Sequence, residues 1–308
     1  MLRAALISLS ESRTLRSLAE KSSLGQRVSG RFVAGTGVED ALQVAARLNQ
    51  AGLSVSLDNL GENVSTAAEA GQSGALYARL LSEIHARSLN ANVSVKLTHM
   101  GIDIAPELAR EHVAALVRRA ASFRPANFVR VDMEGSAYLE RTLDLVRQLH
   151  RLDGNQSLIG AVIQSYMRRS QADVETLLGE GIRIRLCKGA YQEPAEIAYQ
   201  QKSEVDSNYV KLMKILLKSG IYHGLATHDE GIIREAQRFA GREGIARDAF
   251  EFQMLYGIRR DLQRSLVRDG WRMRVYVPFG TEWYPYLMRR LAERPANLFF
   301  VARNLLRK

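Results

Sequence analysis

The sequence predicts an α/β chain folded as a (β/α)₈ barrel, and three observations predict it. Eight short segments rich in β-branched or aromatic residues recur from residue 53 onward. Helical stretches alternate with them. Polar side chains collect where those segments end, as they do at the C-terminal face of such barrels. An open doubly wound sheet is the competing architecture. A chain of 308 residues accommodates one large α/β domain with additions. No composition break marks a second unit, so 1–308 reads as a single domain, with a helical N-terminal segment over 1–50 and the barrel over 51–308.

In chain order, 14–29 mixes apolar and basic residues as a helix. Phe32-Val33-Ala34-Gly35 follows, then a helix over 38–51. The Gly35-Thr36-Gly37 stretch lacks a third glycine and a usable preceding strand, so it reads as a turn and not as a nucleotide loop. Strands are expected at 53–57, 93–97, 128–132, 158–164, 182–186, 222–226, 250–254 and 273–277. Several look almost continuously apolar, the pattern of strands covered on both faces. Helices are expected at 65–88, 106–122, 138–151, 171–179, 204–218, 231–239 and 259–268. A last helix over 282–293 follows the eighth strand and stops at Pro295. On a 100° wheel, Tyr286, Arg289, Arg290 and Glu293 share one face. Tyr284, Leu287, Met288 and Leu291 share the opposite one. The apolar stripe provides the packing surface, so the polar stripe faces water or a site. Planar guanidinium forks there suit an oxyanion.

Composition narrows the function. A 46% hydrophobic content is ordinary for a globular chain. The single cysteine, Cys187, excludes an intrachain disulfide and fits a reducing compartment. No apolar run approaches the roughly 20 residues of a membrane span, and the apolar core at the N-terminus is too short for a secretory signal. The expectation is a cytoplasmic protein. A formal net charge of +10 points to an anionic partner: nucleic acid, an anionic membrane surface, or an anionic substrate or cofactor. The basic residues are dispersed, with few aromatics among them and no nucleic-acid-binding signature, which argues against nucleic acid.

The expected strand ends carry Asn59, Gly61 and Glu62; Lys96, Thr98 and His99; Arg130, Asp132, Met133 and Glu134; Gln164 and Tyr166. They continue with Arg185, Cys187, Lys188 and Tyr191; Thr227, His228 and Asp229; Gln253; and Tyr276. No His/Asp/Glu set has metal-ligand spacing, and neither a G-x-S-x-G elbow nor a P-loop occurs. Cys187 reads as a buried structural thiol. Lys96 is a candidate Schiff-base lysine, which keeps a barrel aldolase open. Lys96, Arg185, Lys188, Arg289 and Arg290 together predict a strongly cationic pocket, suited to a carboxylate substrate and a phosphate-bearing cofactor.

Five segments in order then resemble the motifs of proline dehydrogenase, in its short bacterial monofunctional form. They are Arg185-Leu186-Cys187-Lys188-Gly189-Ala190-Tyr191, Ala226-Thr227-His228, Phe250-Glu251-Phe252-Gln253, Tyr276-Val277-Pro278-Phe279-Gly280 and Tyr286-Leu287-Met288-Arg289-Arg290-Leu291-Ala292-Glu293. The resemblance covers nearly the whole chain. It implies a distorted (β/α)₈ TIM barrel with the last helix over its mouth. It also implies noncovalent FAD and oxidation of L-proline to Δ1-pyrroline-5-carboxylate, the first step of proline degradation, with electrons passing to a membrane quinone.

The same resemblance assigns roles. Arg289, Arg290 and Lys96 would grip the proline carboxylate. Tyr276 and Tyr286 would wall its ring, with Leu186 and Tyr191 adding to the pocket, and Glu293 would orient the arginines. Glu62 would close a gate onto Arg289, and Asp132 would be an active-site aspartate. Met133, Gln164, Arg185, Lys188, Gly189, Ala190, Thr227 and His228 would contact FAD, and Arg185 would stabilise negative charge on the reduced ring. Cys187 stands where the family usually has an aliphatic residue. A quinone acceptor also gives the basic charge and the 298–308 segment a second reading, reversible contact with anionic lipid on the inner face of the cytoplasmic membrane. The simpler reading of that segment is a packed terminal helix with a basic tail. Outside the resemblance, the aldolase and a basic nucleic-acid- or lipid-binding protein are the alternatives.

Overall fold

The computed structural model of the chain describes residues 22–61 and 64–293, without the side chains of residues 23, 24, 26–28 and 289–293. Eight parallel strands form a closed ring: β1 (Ser54–Asn59), β2 (Ala91–Val95), β3 (Val129–Val131), β4 (Ile159–Gln164), β5 (Arg183–Cys187), β6 (Gly224–Ala226), β7 (Glu251–Leu255) and β8 (Met273–Phe279). Val55 of β1 pairs with Ala91 of β2 on one side and with Val275 of β8 on the other, which closes the sheet and removes the open-sheet alternative.

Two helices precede the barrel, α1 (Ser23–Phe32) and α2 (Val38–Gln50). The connecting helices are α3 (Ala67–Ala86), α4 (Pro106–Ala121), α5 (Ser136–His150), α6 (Ser170–Gly179), α7 (Lys202–Lys218), α8 (Glu230–Arg242) and α9 (Arg260–Arg268). The last, α10 (Trp283–Glu293), follows β8. Local signals set several helix starts. Thr66 and Glu69 form a capping box at α3, Pro106 opens α4, and the Asp229 carboxylate caps α8 through Gly231 N–H at 3.1 Å. The Gly35–Gly37 stretch is a turn, its Thr36 and Gly37 N–H groups donating to Asp40 as α2 begins.

Most strands are not apolar on both faces; they alternate. Val55, Leu57, Val93, Val95, Ile184, Leu186, Phe252, Val275 and Val277 point outward beneath the helices and are fully buried. Each such side chain contributes about 1.5–3 kcal/mol. The intervening Ser56, Asp58, Ser94, Arg130, Arg185, Glu251 and Gln253 are buried inside the ring. Only β4, reading Ile159-Gly160-Ala161-Val162-Ile163, keeps the continuous apolar pattern along most of its length. Two glycines make room for this filling. A Cβ at Gly160 would sit 2.7 Å from Nη1 of Arg130, and one at Gly224 would sit 2.3 Å from Nε2 of Gln253.

The expected strand at 93–97 ends earlier. Leu97–His99 turns as a short 3₁₀ segment, which places Lys96 at the strand's mouth. Tyr222 lies before β6, not in it. Helix α2 occupies the outer wall beside β1 and β8. That is the place a helix after β8 would normally take, so α10 goes elsewhere. Trp283, Tyr284, Tyr286 and Leu287 form a separate apolar cluster with Val33 and with Leu60, the residue just past β1. This puts α10 at the C-terminal rim of the barrel, against α1, rather than on the outer wall. The expected helical residues 14–21 and the basic segment 298–308 lie outside the described residues.

Candidate active site

The inward side chains of six strands join into one continuous polar chain. Near the N-terminal end, Arg274 Nε donates to Glu251 at 2.7 Å and its Nη1 donates to the Val55 carbonyl at 2.7 Å. Tyr222 donates to the other Glu251 oxygen at 3.0 Å. Burial pushes the Glu251 carboxyl up, but Arg274 and the bonds from Arg274, Tyr222 and Gln253 outweigh it and hold the pKa below the ordinary carboxylate range. Gln253 Nε2 donates to Glu251 at 2.6 Å, and Gln253 Oε1 accepts from Arg185 Nε at 2.6 Å.

Arg185 is the hub. Its Nη1 donates to Asp132 at 2.6 Å and to Ser94 at 3.0 Å, and its Nη2 donates to Ser56 at 3.2 Å. The Arg185–Asp132 pair is almost fully enclosed, with 6% and 11% of the two side chains exposed. Asp132 accepts two further bonds, from Ser94 at 3.0 Å and from the Tyr276 hydroxyl at 2.7 Å. The Tyr276 ring lies 5.1 Å from the Arg185 guanidinium carbon, within cation–π range. Burial and the Asp132 charge keep the Tyr276 phenol well above its usual pKa, so it stays a donor. At the mouth, the Lys96 ammonium lies 2.9 Å from Asp58 and 3.5 Å from the Tyr276 hydroxyl. Asp58 also accepts from Tyr77 at 3.3 Å. Burial raises the Asp58 carboxyl, with the Lys96 charge pulling the other way.

These contacts bear on three of the five cations of the expected pocket. Lys96 and Arg185 each face a carboxylate. Lys188 lies 2.5 Å from Asp206 and 2.9 Å from Asp229, and it holds both aspartates below their ordinary pKa against the upward push of burial. Among the described residues, each of these three cations therefore lies against at least one carboxylate. The aldolase reading weakens for the same reason: a Schiff-base lysine attacks as the neutral amine, whereas Lys96 is held beside a carboxylate.

The structure brings Lys96, Asp132, Arg185 and Tyr276 together in the barrel. Gln164 ends β4, nine-tenths buried, with one long bond from its amide to the Met133 carbonyl at 3.4 Å. Met133 is buried beside it, just past β3. Gly189 and Ala190 are half-buried in the loop after β5, and Gly189 has φ +101° with a Cβ position 2.3 Å from the Tyr166 ring. Thr227 and His228 follow β6. The Thr227 hydroxyl accepts from Asp229 N–H at 3.1 Å, and His228 Nε2 accepts from Leu255 N–H at 3.0 Å.

One expected residue lies apart. Leu186 points outward into the helix-side core, opposite in parity to Arg185. Tyr191 is 42% exposed on the loop after β5. That loop is tied to the α5 N-terminus by Glu193, which accepts from Ser136 N–H at 2.7 Å and from its hydroxyl at 2.6 Å. Tyr286 is buried in the α10 cluster. Cys187 is only half-buried, more open than expected. Glu62 and the side chains of Arg289, Arg290 and Glu293 lie outside the described residues.

Sequence reasoning passed over Asp58, Ser56, Ser94, Leu255 and Arg274; it quoted Glu251 only within a motif and Gln253 only as a strand end without a role. The signal was the period of two. Ser54-Val55-Ser56-Leu57-Asp58 and Glu251-Phe252-Gln253-Met254-Leu255 alternate inward and outward residues along β1 and β7. Leu255 shares the inward parity at the end of β7 and so supplies an apolar surface beside Tyr276, its partner in register.

Comparison with known proteins identifies the family. Residues 41–303 match the model of the proline dehydrogenase family. The chain is similar to proline dehydrogenase 1 of Bacillus subtilis (strain 168), 40% identical over 309 residues that span all of both chains. It is similar to the proline dehydrogenase of Deinococcus radiodurans, 39% identical over 90% of this chain and 89% of that one. Its fold is similar to the crystal structure of proline utilization A (PutA) from Bdellovibrio bacteriovorus inactivated by N-propargylglycine, with a TM-score of 0.82 and 26% identity. That likeness covers 90% of this chain and only 34% of the longer PutA chain. The chain belongs to the proline dehydrogenase family, flavin-dependent oxidoreductases that oxidise proline to Δ1-pyrroline-5-carboxylate.

Proposed function

We propose that this proline dehydrogenase uses FAD, seated at the C-terminal ends of β3 to β6, and passes the electrons from L-proline to a membrane quinone. One observation carries the placement: the donors left over at the mouth. Of the five N–H groups of Arg185, Gln253, Ser94, Asp132 and Ser56 take four. One Nη2 hydrogen has no partner among the described residues. Gln164 spends one N–H on a 3.4 Å bond, and among the described residues its amide oxygen and second N–H have no other partner, which leaves them for a ligand. An amide that both donates and accepts suits the uracil-like edge of a flavin, and a fixed guanidinium suits the ring's developing negative charge.

Bound flavin supplies the two-electron acceptor for a hydride from the proline carbon beside the amine. The chain's own residues position the substrate. Lys96, with Arg289 and Arg290 of α10, would bind its carboxylate, each charge-assisted bond contributing about 1.5–3 kcal/mol. Tyr276 and Leu255 would flank the ring. Asp132 already accepts from three donors, and Asp58 is engaged by the Lys96 ammonium and Tyr77, so neither is assigned the amine proton. The proton leaves to solvent before the amine binds. α10 at the rim would exclude water while the carbon is held about 3–3.5 Å from the acceptor atom.

The net +10 charge supports contact with an anionic bilayer surface, where a quinone resides. No helix among the described residues is long and apolar enough to cross a membrane. The test has two readouts. Flavin released by denaturation should be FAD, close to one per chain, and a soluble quinone analogue should be reduced when L-proline is supplied. FMN in place of FAD, or flavin reduction that never reaches the quinone, would overturn the corresponding half of the proposal.

A further inference from the structure

Outside the barrel, on the flank covered by α2 and α9, lies a hollow of about 210 Å³. Val44, Leu48 and Leu53 form its apolar floor, and Arg47, Arg260 and Arg264 stand around it. All three arginines are exposed. Several arginines elsewhere on this surface are matched by carboxylates, as in Arg87–Glu39, Arg147–Glu180 and Arg169–Asp173. Here no carboxylate lines the hollow. Among the described residues, Arg47 and Arg264 have no hydrogen-bond or ion-pair partner. Arg260 is braced, its guanidinium carbon 5.5 Å from the Tyr256 ring centre and its Nη2 donating to the Arg31 carbonyl at 3.3 Å. Burial, and then the Arg260 charge, lowers the Arg31 pKa, so like charges already repel at one edge. An anion in the hollow would relieve that repulsion.

Size and chemistry narrow the ligand. At about 210 Å³ the hollow is smaller than the ~300–1,000 Å³ pockets of drug-sized ligands, which favours a phosphate with a small organic substituent over a dinucleotide. Guanidinium forks match phosphate oxygens bidentately, and the aliphatic floor suits a short carbon chain. We propose that the α2–α9 hollow is a binding site for a phosphate ester of glycerol size, free or as a lipid headgroup, separate from the site in the barrel mouth.

The test uses the full-length holoenzyme and the double variant Arg47→Gln/Arg264→Gln. A control of equal charge loss is Arg110→Gln/Arg118→Gln, exposed positions on α4. One arm titrates sn-glycerol 3-phosphate at constant ionic strength and reads thermal stability. The other measures cosedimentation with phosphatidylglycerol vesicles against phosphatidylcholine vesicles. Binding in at least one arm is expected, weakened about 30-fold in the pocket variant and far less in the control. The arm that responds identifies the source of the phosphate. Arg264→Glu should weaken binding at least as much. An unchanged ratio of flavin to protein absorbance shows that the variants are folded, whatever their activity. Wild-type protein that binds in neither arm, or a pocket variant indistinguishable from the control in both, overturns the site.

Discussion

Replacing Asp132 by Asn tests how the barrel interior is held. Asp132 carries the only carboxylate bonded to Arg185 among the described residues, at 2.6 Å, and both side chains are almost fully enclosed. Asn keeps an oxygen for Ser94 and Arg185 but loses the charge. It also turns an NH₂ toward the Tyr276 hydroxyl, which now donates at 2.7 Å. That phenol faces the Lys96 ammonium at 3.5 Å and can turn its proton to the Asp58 carboxylate, which it already bonds. Removing one partner of a buried ion pair costs about 3–5 kcal/mol, which is the expected loss. Urea unfolding of the wild type, Asp132→Asn and the exposed control Asp153→Asn measures it. The control should stay within about 0.5 kcal/mol. The double variant Asp132→Asn/Arg185→Met should lose less than the sum of the two single changes, because it leaves no unpaired charge. A loss below about 1 kcal/mol for Asp132→Asn would refute the reasoning, since the pair would then be solvated rather than enclosed.

Three further outcomes are expected. Gly224→Ala places a Cβ 2.3 Å from Gln253 Nε2, so Gln253 must move and release Arg185; about 1–3 kcal/mol of stability should be lost, with turnover falling alongside. His223 is buried, its Nδ1 accepting from Ile184 N–H at 3.0 Å, and burial followed by the Arg130 charge lowers its pKa to about 3. The unfolded chain binds that proton near pH 6.5 and the native one does not, so stability should fall as pH drops below 6.5. Between pH 7 and 5 the loss should be about 2 kcal/mol greater than in His223→Asn, measured by urea unfolding at each pH. Arg289→Lys and Arg290→Lys should each raise KM for proline strongly, because a point charge cannot copy a fork; wild-type KM in both would remove them from the carboxylate site.

The barrel was legible because outward-facing apolar residues recur at eight intervals and helices separate them. Its interior was harder to read, for a physical reason. Ser56, Asp58, Ser94 and Gln253 look like unremarkable polar residues until the ring closes and carries them within bonding distance of Arg185 and Lys96. Partnering of cations is a tertiary property, so the sequence showed Lys96 and Lys188 as free charges. Asp58 precedes Lys96 by 38 positions and Asp206 follows Lys188 by 18, and only the fold brings each pair together. The placement of α10 was half legible. Its wheel separated Tyr284 and Leu287 from the arginines, and those two residues are buried. Tyr286, placed on the polar face by the same wheel, is buried as well, since the rim contact with Val33 and Leu60 extends across both faces of the first turns. Leu186 was taken into the pocket by motif alone, whereas strand parity sends it outward.

Anaerobic titration of the purified protein with L-proline tests the central claim most directly. The protein should be yellow, and stoichiometric L-proline should bleach its visible flavin absorption band, as expected when the cofactor carries the oxidation. A colourless protein that FAD cannot reconstitute, or a yellow one whose band L-proline leaves unchanged, would contradict the account.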